Sequence, residues 1–444
     1  MKQLFVQLEE AFREKERRRA GKPRCAGAEL KFPAVNGDGT AVDYDKIVKL
    51  WHFLAGEGWN LMTDPGTGDP VGATCPRANR HDIITTETGY CKLEVALAYE
   101  DNLFKLARRL EEIKRLLRRF GDREGVRFLG LGLQPVSPPG EYLMSKKSRN
   151  LFWNRVFGND RVSLFTVSAT NQAHIDVSLA EGADAVNVCN GLSGAQLALT
   201  ANSAVWRGKA DAEHRALAEA FWYWWLPDDP RVGMTVRPFA DWEDYLRHIC
   251  GFKPVFVVRE GRCLGIFRYG SFTEYYQAGE NAQGEDEKGS AVPLVPQYAD
   301  LNRHYTFCWH DARLSEYFTL ENRVNCQQPP GEELCVTALT LGLLENLPEA
   351  RALVEAYPWE LLRELHDAAV KHGPRARAGG TGVLKLAQRM LEISSRGLKS
   401  RGQGEETFLE PLWKRLREGR CPADDACAVA ERDGIAGLVE KYSI

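Results

Sequence analysis

The spacing of apolar and polar positions predicts helices at both ends of the chain and one long helix between them. Residues 1–20 place apolar side chains on one face of an amphipathic opening helix, and residues 43–58 have a similar pattern. Residues 103–119 repeat apolar positions at helical spacing between opposed charges, which predicts a long surface helix. Beyond residue 331 the pattern is helical to the end, and a polar, glycine-rich interruption at 371–382 predicts a flexible loop.

Period-two alternation predicts strands that carry acidic side chains. In AGAELKFPAV the alternation places Glu29 and Lys31 on one strand face. The segment ITTETGYCKLEVALAYEDNL begins with strand-like residues, is broken at Gly89 and then resumes, and it carries Glu87 and Glu94. These strands therefore offer carboxylates on rigid elements.

Two later segments predict strands with a polar face. VSLFTVSATNQAHIDVS is β-branched and then alternating, which places Gln172, His174 and Asp176 on the same side. ARLSEYFTLENRVN predicts a strand on which Glu321 and Arg323 share a face. Other predicted elements are a strand at 128–136, helices at 191–204 and 212–225, a hairpin at 253–267 and a mobile loop at 281–290.

Composition describes an ordinary globular protein of 444 residues with a net charge of -3. The balanced charge leaves no basic field to attract nucleic acid or an anionic membrane. Neither a signal peptide nor a run of about 18 apolar residues is present in the sequence. We therefore expect a cytoplasmic enzyme that binds neither nucleic acid nor membrane and exists as a monomer or homodimer.

Eleven cysteines are scattered along the chain without a CxxC pair. An odd number cannot pair completely within one chain, and a reducing compartment favours free or buried thiols. Cys421 and Cys427 are close enough in sequence for a local disulfide, which is the alternative.

The residues that carry chemistry suggest phosphoryl transfer. Acidic residues occur in several strand-like settings, together with a strand histidine and an arginine two positions after a strand glutamate. Such oxygen ligands suit Mg²⁺, which keeps waters and bridges nucleotide phosphates. The chain has no GxxxxGK[ST], GxGxxG after a strand, HExxH or GxSxG motif, so the common nucleotide-binding and hydrolase folds gain no support.

Seven segments in order resemble the plant and bacterial glutamate-cysteine ligases, within the glutamine-synthetase-like carboxylate-amine ligases. GAELKF is similar to the GTExE strand of that family, ETGYCKLE to EPGGxxE, RFLGLGLQP to GFLGxGFQP and QAHIDVS to QVNLDFS. LTANSAVWRGKA, RVGM and LENR resemble ALFANSPxxxGKP, RTGM and LEMR. The order and number of these matches make the resemblance specific, although each match alone is weak.

The resemblance implies an α+β fold with a glutamine-synthetase-like, saddle-shaped antiparallel sheet and helices packed on its convex side. Residues 1–330 would form the catalytic sheet region with the N-terminal helix, and residues 331–444 a mainly helical region packed on the same domain. It also implies an enzyme that uses ATP and Mg²⁺ to join L-glutamate to L-cysteine through a γ-glutamyl phosphate, the first step of glutathione biosynthesis.

The resemblance also implies roles for individual residues. One metal site would use Glu29, His174 and Glu321, and a second would use Glu87 and Glu94. Arg323 would stabilise the transferred phosphoryl group, because its guanidinium pairs well with phosphate oxygens. The residues expected to bind glutamate or ATP are Arg215, Arg231, Arg149, Lys146, Gln172 and Asn202.

One position departs from the family pattern. The first strand of the family carries two carboxylates two residues apart, whereas here the second is Lys31. A protonated ammonium cannot bind a cation, so either a metal site is lost or Lys31 supplies a fixed positive charge in its place. Two alternatives therefore stay open: a ligase that uses a different amine acceptor, and a catalytically silent homologue that only binds ligand.

Overall fold

The computed structural model describes residues 2–77 and 80–444. Its strands are β1 (Ala26–Val35), β2 (Asn60–Thr63), β3 (Pro70–Arg77), β4 (Arg80–Thr86), β5 (Lys92–Glu100), β6 (Arg127–Phe128), β7 (Asn171–Asp176), β8 (Val205–Trp206), β9 (Lys209–Ala210), β10 (Val232–Gly233), β11 (Phe256–Arg259), β12 (Arg262–Gly265), β13 (Gln283–Glu285), β14 (Ala291–Pro293), β15 (Trp309–His310), β16 (Ala312–Leu314), β17 (Thr319–Asn322), β18 (Arg377–Ala378) and β19 (Thr381–Gly382).

Helices precede, separate and follow the strands. They are α1 (Lys2–Arg19), α2 (Tyr44–Gly56), α3 (Leu103–Glu124), α4 (Arg149–Phe157), α5 (Asn159–Ser163), α6 (Gly182–Gly191), α7 (Ser193–Thr200), α8 (Leu217–Trp225), α9 (Trp242–Cys250), α10 (Phe272–Gln277), α11 (Tyr298–Tyr305), α12 (Cys335–Glu345), α13 (Leu347–Glu355), α14 (Trp359–His372), α15 (Val383–Ser400), α16 (Glu410–Glu418) and α17 (Pro422–Tyr442).

The central sheet is antiparallel, with strand order β16-β17-β7-β1-β5-β4-β3-β2, and β6 pairs with the end of β1. Strands from three distant parts of the sequence therefore meet at its centre. Four of these strands, β2 to β5, follow one another along the chain, and helices lie before and after them, which is the α+β organisation that the sequence predicted.

The pairing register places the predicted polar residues on one face. Lys31 of β1 lies opposite Glu94 of β5, and Glu321 of β17 lies opposite His174 of β7. Successive side chains of a strand point to opposite faces, so Glu29 shares the face of Lys31. We call this set the charged row, and its members across five neighbouring strands are Glu94, Lys31, Glu29, His174, Glu321 and Arg313.

The opposite face of the sheet is apolar and covered by helices. Leu30, Val95 and Ile175 have no exposed surface. Asn322 points to this face, and its Nδ2 donates a hydrogen bond to Oγ1 of Thr340 in α12 at 2.8 Å. Burial of this face supplies the main driving force for the fold and holds the charged row on a rigid support.

Helix α1 packs beside the turn between β16 and β17. The Phe12 ring lies 4.6 Å from Phe318 and 5.3 Å from Trp242 between ring centroids. Lys15 Nζ donates hydrogen bonds to the carbonyl oxygens of Tyr317 and Phe318, each at 2.8 Å. The predicted amphipathic helix is confirmed, and it supports a turn that reaches the cavity described below.

Two other predicted elements are also confirmed. Helix α3 begins after Asn102, whose side chain accepts hydrogen bonds from two backbone N–H groups, and ends at the left-handed Gly125. It runs five residues beyond the predicted end. The predicted hairpin at 253–267 is formed by β11 and β12, with Glu260 and Gly261 at positive φ in the turn.

The single strand predicted at 128–136 is wrong, because only its first residue belongs to a strand, β6. A Cβ atom on Gly130 or Gly132 would come within 2.7 or 2.9 Å of a carbonyl oxygen, those of Gln328 and Asn202. Here the glycines allow close approach of neighbouring backbone, which uses the hydrogen bonds that a strand would need. In this segment the period-two alternation of apolar residues reflects burial and not strand structure.

Three further expectations about local structure are wrong. The segment 162–178 is helical up to residue 166, and only Asn171–Asp176 form a strand. The predicted strand at 312–325 is a hairpin of β16 and β17, with Phe318 at positive φ in its turn. The predicted mobile loop at 281–290 contains β13 and the turn that leads to its partner β14. Polarity and β-branching describe side chains, whereas these turns depend on backbone hydrogen bonds that the pattern does not report.

The region after residue 331 contains α12 to α17 and the small hairpin of β18 and β19, which lies within the loop predicted at 371–382. The buried apolar residues of α12 to α16 belong to the same main core as those of the sheet, whereas most of those in α17 pack with Val35 and Leu129 in a second cluster. The domain boundary itself stays a prediction. Within the described residues, no helix has the length and apolar character needed to cross a membrane.

All eleven cysteines carry free thiols, and nine of them are buried. The local disulfide between Cys421 and Cys427 is therefore absent. Cys421 instead lies beside the carboxylate of Asp424, and Cys427 beside the carbonyl oxygen of Ala204.

Candidate active site

A cavity of about 400 Å³ opens over the charged row. The sheet supplies its polar wall, and α8, α4 and β15 supply a mostly aromatic wall. Its charged lining residues are Glu29, Lys31, Glu87, Lys92, Glu94, Arg149, His174, Glu219, Arg303, Asp311, Arg313, Glu316, Glu321 and Arg323. Charges of both signs are therefore concentrated in one partly enclosed volume.

Glu29, His174 and Glu321 form the predicted three-residue cluster. Each contributes a donor atom, and these atoms lie within 4.8 Å of one another. His174 Nε2 is 3.0 Å from Glu29 Oε1, while its Nδ1 is 3.3 Å from the Thr319 hydroxyl. Burial opposes the charged forms, yet Lys31 and His174 lower the pKa of Glu29 to about 2. The cluster therefore keeps an ionised carboxylate next to an imidazole.

Two arginines hold Glu321. Arg313 Nε and Nη2 donate to the two carboxylate oxygens at 2.8 and 3.2 Å, and Arg323 Nη1 donates to Oε1. Burial would raise the pKa of Glu321, but Arg313 and Arg323 hold it far below its usual range. A bidentate arginine fixes both position and charge, so Glu321 is an oriented carboxylate that stays ionised at neutral pH.

Lys31 lies between two carboxylates. Its Nζ is 3.2 Å from Glu29 Oε2 and 3.3 Å from Glu94 Oε2. Burial alone would lower the pKa of Lys31, but Glu94 and Glu29 raise it well above its usual value. The ammonium therefore stays charged and occupies the position from which a second carboxylate would bind metal. This contact is the structural consequence of the departure seen in the sequence.

Glu87 and Glu94 have different environments although both line the cavity. Burial raises the pKa of Glu94 to about 8 despite Lys31. Burial also acts on Glu87, but Lys92, Lys31 and Arg149 hold its pKa well below the usual range. Such opposed pKa values in one pair are typical of sites that hold or transfer charge.

Two more of the predicted binding residues reach the cavity. Arg149 Nη2 is 3.9 Å from Glu87 Oε1, and Arg149 begins helix α4. Gln172 Oε1 accepts a hydrogen bond from Arg323 Nη1 at 3.4 Å. Arg323 and Lys31, the two predicted catalytic residues, also line the cavity.

Four predicted binding residues do not line the cavity. Arg215 Nε donates to Asp424 of α17, and Arg231 Nε donates to Asp229. Asn202 is buried and donates to backbone carbonyl oxygens, whereas the Lys146 ammonium lies over the Tyr44 ring. The described structure therefore gives Arg215, Arg231, Asn202 and Lys146 structural contacts, and their role in substrate binding stays a prediction.

Asp176 also makes structural contacts and does not line the cavity. Its carboxylate pairs with Lys15 and Arg19 of α1 at 3.0 and 2.9 Å and accepts a hydrogen bond from the Cys25 N–H group. Its position at the end of β7 takes it past the cavity. Strand alternation identified the face correctly but not where along the strand the site ends.

Several cavity residues were absent from the sequence-based set. Arg313 was hidden because the β16–β17 segment was interpreted as one strand, which obscures the cross-strand pairing with Glu321. Lys92 lies in the buried segment after Glu87, and burial lowers its pKa to about 8. Lys147 does not line the cavity, but its Nζ donates to the Thr85 hydroxyl at 3.0 Å, and burial lowers its pKa to about 8 as well. The basic pair Lys146 and Lys147 could have drawn attention to this position.

Aromatic side chains form the wall opposite the charged row. Trp222 and Trp225 of α8 line the cavity, whereas Trp224 is 46% exposed. The Trp222 ring stacks on Trp309 with centroids 5.8 Å apart and an interplanar angle of 23°. A flat apolar wall beside fixed charges limits water in the cavity and strengthens its electrostatic interactions.

Two relatives with similar sequences are both named glutamate-cysteine ligases. The putative glutamate-cysteine ligase 2-3 of Rubrobacter xylanophilus is 26% identical over 373 residues, which covers 81% of this chain and 85% of that protein. The chloroplastic glutamate-cysteine ligase of Solanum lycopersicum is 24% identical over 324 residues, which covers 68% of this chain and 57% of that protein.

Structural similarity supports the fold. The glutamate-cysteine ligase of Francisella tularensis, solved in complex with AMP, superposes with a TM-score of 0.56 at 10% identity and covers 95% of this chain and 87% of that one. The predicted α+β, glutamine-synthetase-like fold is confirmed. A model of glutamate-cysteine ligase family 2 (GCS2) matches residues 59–441, which is most of the chain. The chain therefore belongs to glutamate-cysteine ligase family 2.

Proposed function

We propose that the cavity catalyses ATP-dependent ligation of the glutamate side-chain carboxylate to the amino group of cysteine, giving γ-glutamylcysteine. Family membership supports this reaction. The observation that carries the proposal is the charged row, in which carboxylates, Lys31, His174 and Arg313 face one cavity of about 400 Å³. Both a triphosphate and an amino acid need such paired charges.

The reaction has two steps in this proposal. A glutamate carboxylate oxygen attacks the γ-phosphorus of ATP, the bond to the β-phosphate oxygen breaks and ADP leaves. The cysteine nitrogen then attacks the acyl carbon, loses a proton and displaces phosphate. Activation is needed because a carboxylate is a poor electrophile, and catalysis of the first step is mainly positioning and charge stabilisation.

Arginines are the proposed contacts of the phosphoryl group. Arg323 is held by Glu321 and Gln172, so its guanidinium is oriented before substrate binds. Arg149 and Arg303 line the same cavity. Because an arginine stays protonated at all working pH values, these groups offset the negative charge of the transferring phosphate without titrating.

The donor set of Glu29, His174 and Glu321 fits a divalent cation. Both carboxylates stay ionised, and the buried His174 Nε2 makes no well-formed hydrogen bond. We propose that these three residues hold Mg²⁺ together with ATP phosphates. A bound Mg²⁺ would neutralise part of the negative charge on the phosphates. Lys31 would then replace a second ion beside Glu29 and Glu94.

Product analysis tests the reaction. Purified protein with ATP and Mg²⁺ should release ADP only when glutamate and cysteine are both present, and mass spectrometry should detect γ-glutamylcysteine. Glu321→Gln is the inactive control. ADP release that ignores glutamate contradicts the proposal, and nucleotide binding without any turnover would support a silent homologue instead.

A related ligase with another amine acceptor is the second candidate. Lys31 favours it, because a fixed ammonium in the charged row changes the charge presented to the substrates. A screen of amines with glutamate and ATP, read by mass spectrometry, separates the two candidates. The cytoplasmic location and the monomeric or dimeric state stay predictions.

A further inference from the structure

A second cluster of ionisable groups lies where α8, α14 and the β15–β16 connection meet. Glu219, Asp311 and His366 each place a donor atom within 4.8 Å of the others. Their exposed fractions are only 6%, 3% and 0%. Because the residues come from three separate elements, tertiary packing brings these groups together at a cost in desolvation.

The donor atoms of this cluster lack partners. Glu219 Oε1, Asp311 Oδ2 and His366 Nε2 are all buried without a hydrogen bond. His366 Nε2 and Asp311 Oδ2 lie 3.2 Å apart. These two atoms face each other at ion-pair distance, whereas Glu219 Oε1 has no hydrogen-bond partner. Buried polar atoms are almost always satisfied, and two buried carboxylates this close need a proton or a cation between them.

The contacts of His366 orient it as a ligand. Its Nδ1 is 3.1 Å from Asp367 Oδ1 and 3.2 Å from the Tyr223 hydroxyl. A carboxylate only accepts hydrogen bonds, so Nδ1 carries a hydrogen toward Asp367. Without an ion, Nε2 faces the Asp311 carboxylate at 3.2 Å, and in the metal-bound form that we propose it would present a lone pair to the cluster. Histidines that bind metal ions have this carboxylate contact on the other nitrogen.

We propose that Glu219, Asp311 and His366 bind one divalent transition-metal ion of the Zn²⁺ or Mn²⁺ class. Two carboxylates and one imidazole form a mixed oxygen and nitrogen donor set that Zn²⁺ and Mn²⁺ accept. The proposed Mg²⁺ at Glu29, His174 and Glu321 would share its ion with nucleotide phosphates, and no such phosphate is proposed at this second cluster. The ion would neutralise two buried carboxylates. This site is separate from the Glu29, His174 and Glu321 cluster and does not depend on the ligase activity.

The site would face the substrate. Glu219 and Asp311 line the cavity, so a three-ligand ion would keep an open coordination position toward it. An anionic group of the substrate, a carboxylate or a thiolate, is the class of ligand that fits this position. The cation would then lie at the end of the cavity that is lined by α8.

Calorimetric titration of the full-length protein tests the site. The protein is stripped with a chelator and kept in millimolar Mg²⁺, and Zn²⁺ and Mn²⁺ are then added in separate experiments. His366→Gln should bind one equivalent fewer than wild type, or bind that equivalent at least about a hundredfold more weakly. Glu321→Gln, which alters the other cluster, should keep it. Equal stoichiometry and affinity in wild type and His366→Gln would overturn the proposal.

Glu219→Gln gives a test that does not depend on His366→Gln folding. The change keeps the shape but removes one of two adjacent carboxylates, so the metal-free protein should melt at the same or a higher temperature. With millimolar Mg²⁺ present throughout, addition of Zn²⁺ should raise the melting temperature of wild type and of the control Glu213→Gln, which alters an exposed residue, more than that of Glu219→Gln, which keeps only the Glu29, His174 and Glu321 cluster. If Zn²⁺ shifts none of the three proteins, the carboxylates share a proton and the proposal fails.

Discussion

Arg313 and Arg323 hold the Glu321 carboxylate before any substrate binds. This arrangement predicts the effect of replacing Glu321 by glutamine. Glu321→Gln keeps the size of the side chain but removes the charge. We expect kcat to fall by roughly a hundredfold or more, because the carboxylate acts on charge that develops in the transition state. Glutamate affinity, measured by calorimetry, should fall much less.

The control for this comparison is Glu440→Gln, which alters an exposed glutamate near the end of α17. It should leave both kcat and glutamate affinity unchanged. Equal losses of turnover and of glutamate binding in Glu321→Gln would contradict a role at the phosphate and indicate a substrate contact instead.

A second prediction for a single residue concerns Lys31. Lys31→Gln would leave Glu29 and Glu94 facing each other without the buried ammonium between them. We expect a loss of roughly 3–5 kcal/mol of stability in buffer without Mg²⁺, the usual cost of breaking a buried ion pair. Mg²⁺ should restore more stability to this variant than to wild type, because the two carboxylates can then share an ion.

Thermal unfolding with and without millimolar Mg²⁺ measures this effect. Lys209→Gln, on the exposed hairpin of β8 and β9, is the matched control and should behave as wild type. If Mg²⁺ stabilises Lys31→Gln and wild type equally, Lys31 does not stand in for a cation.

Among the elements, α1 acts on the site through the β16–β17 turn. Phe12→Ala would remove a fully buried ring that contacts Phe318, and such truncations cost about 3–5 kcal/mol. We also expect a higher KM for glutamate, because Tyr317 of this turn lines the cavity. Chemical denaturation and steady-state kinetics measure the two effects.

Val6→Ala on the same helix is the control, because Val6 is 46% exposed. It should change stability by less than about 0.5 kcal/mol. A destabilised Phe12→Ala variant with unchanged KM would show that α1 stabilises the fold without positioning the turn.

Side-chain patterns in the sequence predicted strand faces but not contacts between distant parts of the chain. The faces of β1, β7 and β17 followed from alternation, whereas the grouping of Glu29, His174 and Glu321 followed from the family resemblance. Arg215 and Asn202 match family motifs in sequence, yet they contact α17 and backbone carbonyls. Their placement depends on long-range packing, and Arg313 depends on a turn, so neither could be predicted from local pattern.

At the scale of the whole molecule, buried histidines link stability to pH. His304 is fully buried, its Nε2 donates to the Ile249 carbonyl oxygen, and Nδ1 has no partner. Burial and the nearby Arg231 lower its pKa to about 4. Below its ordinary pKa of 6.5 the unfolded chain takes up a proton that the folded protein does not, so stability falls between pH 6.5 and 4.

His304→Gln keeps a hydrogen-bond donor and cannot titrate in this range. We expect its unfolding free energy to fall less than that of wild type as the pH drops, by on the order of 3 kcal/mol over the window. Denaturant unfolding at several pH values measures the difference. His52→Gln, at an exposed position on α2, should keep the wild-type slope, and an equally steep slope in His304→Gln would contradict the prediction.

The free cysteines have a consequence for how the protein tolerates oxidants. Burial raises the pKa of Cys91, Cys189 and Cys335 to about 12, and that of Cys308 and Cys326 to about 11. Oxidants and disulfides react with the thiolate, and these thiols stay protonated and shielded at neutral pH. These five buried positions should therefore stay reduced without a protective disulfide when the thiol pool of the cell becomes more oxidised.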